Sequence, residues 1–281
     1  MLNGKRQRFR PGVFFIIILI SLFCTYIAIP FMWMFSTSIR SPLLSFRLPP
    51  AIFPTMFDLE NYRMIFVKVP NFMMFVTNSI KLSVSITALQ LIVCSMAAYA
   101  FSRLHFPGRN LLFLLFLVAL MIPAQVTNIP RFIFLSRLKL INTHASLIIP
   151  AMYSTMAIFL IRQHMMTIPR SYDEAAYMDG ASKLWTFLRV IVPMAKPSMI
   201  VIAVMTFIAT WNDYSGPLIY INSMSKMPLP LGLQSITGMF GTGNQASVIA
   251  AVILSLIPPL IFFIVGQRAL IDGIQLGGLK G

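Results

Sequence analysis

Apolar residues in this chain run in long stretches and do not alternate with polar ones. Six stretches, residues 12–35, 74–101, 110–130, 145–165, 198–221 and 246–268, are each long enough to cross a bilayer as a helix, which takes about 20 residues. Period-two alternation is missing, and an open sheet cannot cross lipid with unpaired backbone groups. The pattern predicts an all-α polytopic membrane protein with six transmembrane helices in a single transmembrane domain over 1–281. Pro123 and Pro258-Pro259 fall inside the third and sixth runs. They predict kinks, which serve either packing or a hinge. Lys81 lies one turn inside the second run and is expected to snorkel, so the dry part begins near Leu82.

One polar interruption breaks this pattern. Between the fourth and fifth runs, residues 166–197 hold three of the seven acidic residues, Asp173, Glu174 and Asp179. The segment reads as two short helical pieces separated by Gly180. Pro169 and Ser171 suit a helix start, and Asp173 and Glu174 favour its positive end. Tyr172, Ala175, Ala176 and Met178 give a small, smooth face that another backbone could approach. Gly180 fits a left-handed turn that stops the first piece. Ser182 suits the cap of a second piece, whose Trp185, Leu188 and Val192 form an apolar stripe as far as Pro193. One reading is an amphipathic helix lying on lipid. The acidic start disfavours an anionic surface, which supports a docking site for a soluble partner instead.

Composition agrees with the membrane class. The chain is 58% hydrophobic and only 10% charged, too little charge for a solvated surface of this size. Its net charge of +15 does not point to nucleic acid. Basic residues cluster beside apolar runs, as in Lys5-Arg6-Gln7-Arg8-Phe9-Arg10 and in Arg103 with Arg109, the arrangement that orients helices against the cytoplasmic leaflet. Six spans with the basic N-terminus inside place both termini in the cytoplasm. The cytoplasmic connections are then 102–109 and 166–197, and the outer ones 36–73, 131–144 and 222–245. Lys and Arg divide 13 inside against 9 outside, so the N-terminal cluster carries most of the orientation. Loop 36–73, with Pro42, Pro49, Pro50, Pro54 and Pro70, reads as an extended, lid-like connection. The first apolar run continues through Pro30, Trp33 and Phe35 with no small-residue cleavage pattern, so it reads as an uncleaved span. Cys24 and Cys94 both lie in apolar runs and are expected to be free thiols.

Groups for chemistry are sparse. No phosphate-binding loop, Gly-x-Ser-x-Gly or His-Glu-x-x-His occurs, so ATP hydrolysis by this chain is not expected. His105, His144 and His164 lie on or beside three different connections with no carboxylate or thiol at ligand spacing, so no metal is expected. Ionisable groups near the membrane interior mark ion relays, and only Lys81 and Asp213 come close, both near span ends. Energy for any transport must then come from elsewhere.

Glu174-Ala175-Ala176, three residues, Asp179-Gly180-Ala181, then Pro193 and Pro197 resemble the "EAA" loop of bacterial ABC importer permeases. Other stretches are similar to the carbohydrate-importer branch, the maltose-permease "G-type" subunits. They are Ala98-Tyr99-Ala100-Phe101-Ser102-Arg103 with Phe106-Pro107-Gly108-Arg109, Trp211-Asn212-Asp213 with Pro217-Leu218, and the ending Gly277-Gly278-Leu279-Lys280-Gly281. Ser215-Gly216 departs from the branch, which usually has bulkier apolar residues there.

The resemblance implies an inner-membrane permease subunit of an ATP-driven sugar importer. Its expected partners are a second homologous permease, two cytoplasmic ATPase subunits and an extracytoplasmic solute-binding protein, all around a lipid bilayer and without nucleic acid. ATP and magnesium belong to the ATPase, and no cofactor binds this chain. Carried over, Glu174, Ala175, Ala176, Asp179, Gly180, Ala181 and Pro193 would form the ATPase-coupling helix, with Glu174 paired to a basic residue of the ATPase cleft. Trp211 and Asn212 are candidates for the substrate pathway, since Trp stacks on sugar rings and the Asn amide serves hydroxyls. Equally, Trp belongs at membrane interfaces and Asn links helices. Alternatives left open are the same machine carrying glycerol-phosphate or a polyamine, a secondary transporter or channel, and a membrane scaffold.

Overall fold

The computed structural model describes residues 11–41, 52–53, 57–240 and 245–278. The basic cluster Lys5 to Arg10, four prolines of the first outer loop (Pro42, Pro49, Pro50, Pro54) and the final Leu279-Lys280-Gly281 lie outside the described residues. Among the described residues every regular element is helical, as the apolar periodicity predicts. The chain divides into two compact units, residues 1–70 with 236–254, and residues 71–235 with 255–281.

In the first unit, α1 (Pro11–Ser38) is apolar on nearly all sides and almost wholly exposed, the character of a helix that faces lipid. Polar groups tie its end to α2 (Glu60–Lys68). The buried Asn61 amide donates to the carbonyls of Ser38 (2.9 Å) and Arg40 (2.6 Å), and Arg40 donates to the Phe53 carbonyl at 2.9 Å.

The second unit is built around α3 (Phe72–Arg103), a helix of 32 residues. It is followed by α4 (Arg109–Ala119), α5 (Ala124–Arg137), α6 (Ala145–Ala151), α7 (Thr155–Thr167), α8 (Ser171–Met178) and α9 (Lys183–Thr186). A π-helical stretch (Phe187–Ile191) leads to α10 (Val192–Met194), α11 (Lys196–Trp211), α12 (Ser215–Tyr220) and α13 (Leu229–Phe240). The last helix, α14 (Gln245–Gly278), begins in the first unit and ends in the second. Helices α7 and α11 pack along α3 and against each other. Their shared core joins Cys94, Ala98 and Tyr99 of α3 to Ile158, Ile161 and Met165 of α7, Phe187 and Ile191 of the π stretch, and Ile202 of α11.

The expected spans and the helices agree in part. By length and composition, 12–38, 72–103, 145–167 and 245–267 are each able to cross a membrane, and 183–211 is a fifth if its bent pair counts as one. The run 110–130 is not one helix. It breaks after Ala119, and Pro123 sits at the start of α5 instead of kinking a continuous span, because proline lacks the N–H that an interior position must donate. The run 198–221 likewise ends its helix at Trp211 and resumes at Ser215. Pro258 and Pro259 lie inside α14, which continues through them. Arg162 lies within the fourth run, yet it is accommodated. Its Nε donates to the Phe101 carbonyl at 3.2 Å and its guanidinium sits 4.0 Å from the Phe113 ring centroid, a cation–π contact. Cys24 is exposed and Cys94 buried, both as free thiols.

Candidate functional site

Residues 166–197 form the two helical pieces that their pattern predicts. Helix α8 carries Asp173 and Glu174 in its first turn, where the peptide dipoles favour negative charge. Arg170, not Ser171, occupies its N-cap position, and no side chain caps it. At the other end Gly180 has φ of +78°. The Ala181 amide donates to the Ala176 carbonyl (2.9 Å) and the Gly180 amide to that of Tyr177 (3.0 Å). This is the paired closure of a helix end around a left-handed residue. Ser182 then caps α9, its hydroxyl accepting from the Trp185 amide at 3.3 Å. Beyond α10 the chain bends by 76° into α11, at Ala195 between Pro193 and Pro197.

The segment has two faces. Asp173, Ala176, Thr186, Phe187, Ile191 and Ala195 are buried. Glu174, Ala175, Met178, Asp179, Gly180 and Pro193 are exposed, Met178 at 88%, and Ala181 is half-buried. Trp185 and Leu188 of the expected apolar stripe also point outward, while Val192 is half-buried. The smooth face expected of Tyr172, Ala175, Ala176 and Met178 is therefore divided, with Ala176 turned inward and the other three out.

The buried face is fastened to the end of α3. Tyr99 donates its hydroxyl to the Lys183 carbonyl at 3.3 Å, and its ring lies 4.9 Å from that of Phe187. Arg103 donates to the Ile168 carbonyl at 2.8 Å, and its Nε lies 3.3 Å from Oδ2 of Asp173, with both side chains nearly buried. Burial pushes the Asp173 carboxyl above its ordinary range, and the Arg103 charge offsets only part of that. A cleft of about 260 Å³ beside the pair is lined by Arg103, His105, Arg170, Asp173, Glu174 and Lys183, among others. The motif at residues 98–103 does not by itself reveal these contacts. The α3 end and the loop are far apart in sequence, and only the fold brings Arg103 to Asp173.

Trp211 and Asn212 are adjacent in sequence but differ in setting. Trp211 is 2% exposed, lies 6.0 Å from the ring of Phe207, and donates its indole N–H to the Ser255 carbonyl at 3.0 Å. Asn212 ends α11 with its side chain exposed and donating to the Ile208 carbonyl at 3.0 Å. Asp213 accepts from the Gly216 amide at 3.1 Å, and a Cβ at Gly216 would meet Oδ2 of Asp213 at 2.5 Å. The departure from the family pattern at Gly216 therefore makes room for this cap. Three buried polar residues of α3, Ser83, Thr87 and Gln90, were also missed. Their spacing of four and then three residues was the available signal.

The polar loop thus has one face fastened to the helical core and the other exposed. Comparison with known proteins gives the class of the chain. Residues 90–272 match the family described as "Binding-protein-dependent transport system inner membrane component", and the chain belongs to that family. It is 32% identical over 228 residues to the arabinooligosaccharides transport system permease protein AraQ of Halalkalibacterium halodurans, covering 81% of each chain. It is 34% identical over 238 residues to the sn-glycerol-3-phosphate transport system permease protein UgpE of Salmonella typhi, covering 82% of this chain and 84% of that one. Its fold matches a crystal structure of a bacterial ABC transporter involved in the import of the acidic polysaccharide alginate. That match has a TM-score of 0.82 at 25% identity and covers 95% of this chain and 99% of the other. The protein is a permease subunit of an ABC importer.

Proposed function

We propose that the chain carries a sugar-class solute across the inner membrane and is driven through residues 166–197. Two cytoplasmic ATPase subunits would engage the exposed face of α8 and α9, with Glu174 paired to a basic residue of the ATPase. A second permease subunit would complete the pathway, and an extracytoplasmic binding protein would deliver the solute. ATP and magnesium would stay on the ATPase, because this chain has no phosphate loop. Both termini would lie in the cytoplasm.

The observation that carries this reading is the two-faced loop. Its inner side is bonded to α3 through Tyr99 and Arg103. Displacement of the outer side would be passed to the spans as a rigid shift, the form that hinge and shear transitions take. At the end of α11, Asn212 borders the pathway, while Trp211 holds α11 to the last helix.

The test is Glu174→Lys in the assembled complex. The reversed charge repels a basic partner, and Glu174 is exposed, so folding is not at stake. ATP-driven uptake is expected to fall to background with membrane abundance unchanged. Full uptake by the variant would overturn the coupling role.

A further inference from the structure

A cavity of about 340 Å³ lies among α3, the break between α6 and α7, and α11. That is roughly ten times the ~30 Å³ share of one liquid water. Its polar lining is Gln90, Tyr153, Ser154, Thr206 and Thr210, and none of its lining residues is charged. Gln90 is 6% exposed, and its side-chain amide makes no hydrogen bond to any of the described residues. One and two turns back along α3, the hydroxyls of Thr87 and Ser83 are buried, and among the described residues they too have no hydrogen-bond partner. Serine and threonine in a helix ordinarily bond back to the preceding turn, and polar groups left unpaired at membrane depth are costly. A seam of three such groups ending at an uncharged cavity is the signature of a surface satisfied by something else.

We infer that this cavity is a solute subsite within this chain, suited to a neutral, hydroxyl-rich solute such as an uncharged sugar. The inference rests on the transport reading above and names its solute class. An amide and hydroxyls each offer both donor and acceptor, as a sugar hydroxyl requires, and the Tyr153 ring supplies an apolar face for stacking. A phosphate or carboxylate placed here would be desolvated with no lining cation to compensate it. Glycerol phosphate and uronate solutes are therefore excluded from this subsite.

The test uses the whole complex purified from its native membrane and reconstituted in vesicles. Cys24→Ser and Cys94→Ser remove the native thiols, and Thr206→Cys reports on the cavity through its rate of modification by a small water-soluble thiol reagent. Saturating arabinotriose or maltotriose is expected to slow modification at least about threefold, and glycerol 3-phosphate is expected to have no effect. Adding Gln90→Leu is expected to raise the trisaccharide concentration needed roughly three- to tenfold, the effect of one lost hydrogen bond. Three results would each overturn the subsite: no protection by either trisaccharide, equal protection by glycerol 3-phosphate, or an unchanged trisaccharide concentration dependence in the Gln90→Leu background. ATP-driven uptake is read in the same vesicles. Uptake without protection removes the subsite alone, whereas no ATP-driven uptake of any of the three solutes removes the transport reading and the subsite with it.

Discussion

Gly180 is the residue on which the shape of the loop depends. Its φ of +78° lies where side chains are disfavoured, yet a Cβ there would meet nothing within 4 Å. Any penalty for substitution therefore comes from the backbone alone, at about 1–3 kcal/mol for a non-glycine residue held there. Asparagine tolerates this region best and β-branched residues worst. Uptake per molecule is expected to fall in the order Gly180, Gly180→Asn, Gly180→Ala, Gly180→Val, with abundance constant; native uptake by Gly180→Val would show that the turn is dispensable. Asp173 poses a different problem. Burial raises its carboxyl pKa despite Arg103, so the folded state takes up the proton more readily than the unfolded chain. The stability this provides is complete below the unfolded value, about 3.9, and is lost as pH rises through the raised folded value. Asp173→Asn is therefore expected to be nearly neutral at pH 7.5. The native protein is expected to gain in melting temperature on the variant as pH falls to 5. Arg103→Leu leaves the carboxylate buried and unpaired and is expected to cost about 3–5 kcal/mol at neutral pH. Thermal melts of the detergent-purified protein at the two pH values check both; a parallel pH dependence in native and Asp173→Asn would contradict the first.

At the scale of elements, the breaks in the helices matter as much as their lengths. The apolar run 198–221 gives no hint of its interruption until Asp213 is considered. The helix ends at Trp211, whose indole is tied to Ser255, and Asp213 then caps the next piece through the Gly216 amide. Gly216→Ala would push the Asp213 carboxylate off that amide. Loss of such a cap typically costs about 1 kcal/mol. The melting temperature is expected to drop for Gly216→Ala and for Asp213→Ala, and the double variant is expected to lose little more than either one. Full additivity would show that the two residues act separately. This also marks what the sequence could and could not reveal. Long apolar periodicity exposed α1, α3 and α14, since span length is set by the bilayer. Gly180 and Ser182 were legible because a turn and a cap are local chemistry. At Pro123 the sequence predicts a kink and not a split, because proline is tolerated inside some membrane helices, as α14 tolerates Pro258 and Pro259. The Arg103–Asp173 pair was not legible, since its members stand seventy positions apart and only tertiary packing joins them.

On the scale of the whole molecule, sidedness follows from bonding as well as from charge. Asn142 accepts from the amides of Asn222 (3.1 Å) and Ser223 (2.9 Å), and Lys226 donates to the Asn142 carbonyl at 2.7 Å. The connections 131–144 and 222–228 therefore lie on one side. Near the start of α3, Asn78 donates to the carbonyls of Ser225 (3.0 Å) and Met227 (3.1 Å), which places that side at the N-terminal end of α3. Tyr99 and Arg103 bind residues 168–183 at the other end. With 32 residues at about 1.5 Å each, α3 is long enough to hold the two groups on opposite faces of a bilayer. This separation does not depend on counting spans, which matters because the run 110–130 is two short helices. The basic residues near 102–109 and 166–197 and the N-terminal cluster predict that the loop end of α3 is the cytoplasmic one. In intact cells a membrane-impermeant thiol reagent is expected to label Ser225→Cys and to spare Ser182→Cys, with both labelled once the membrane is permeabilised. Both positions are exposed in the chain, and labelling of Ser182→Cys on permeabilisation separates protection by the bilayer from cover by a bound ATPase. Labelling of Ser182→Cys from outside, with Ser225→Cys protected, would invert the orientation. Labelling of both from outside would break the assignment of the two groups to opposite faces and, with it, the proposed route by which an ATPase at the loop would move the spans.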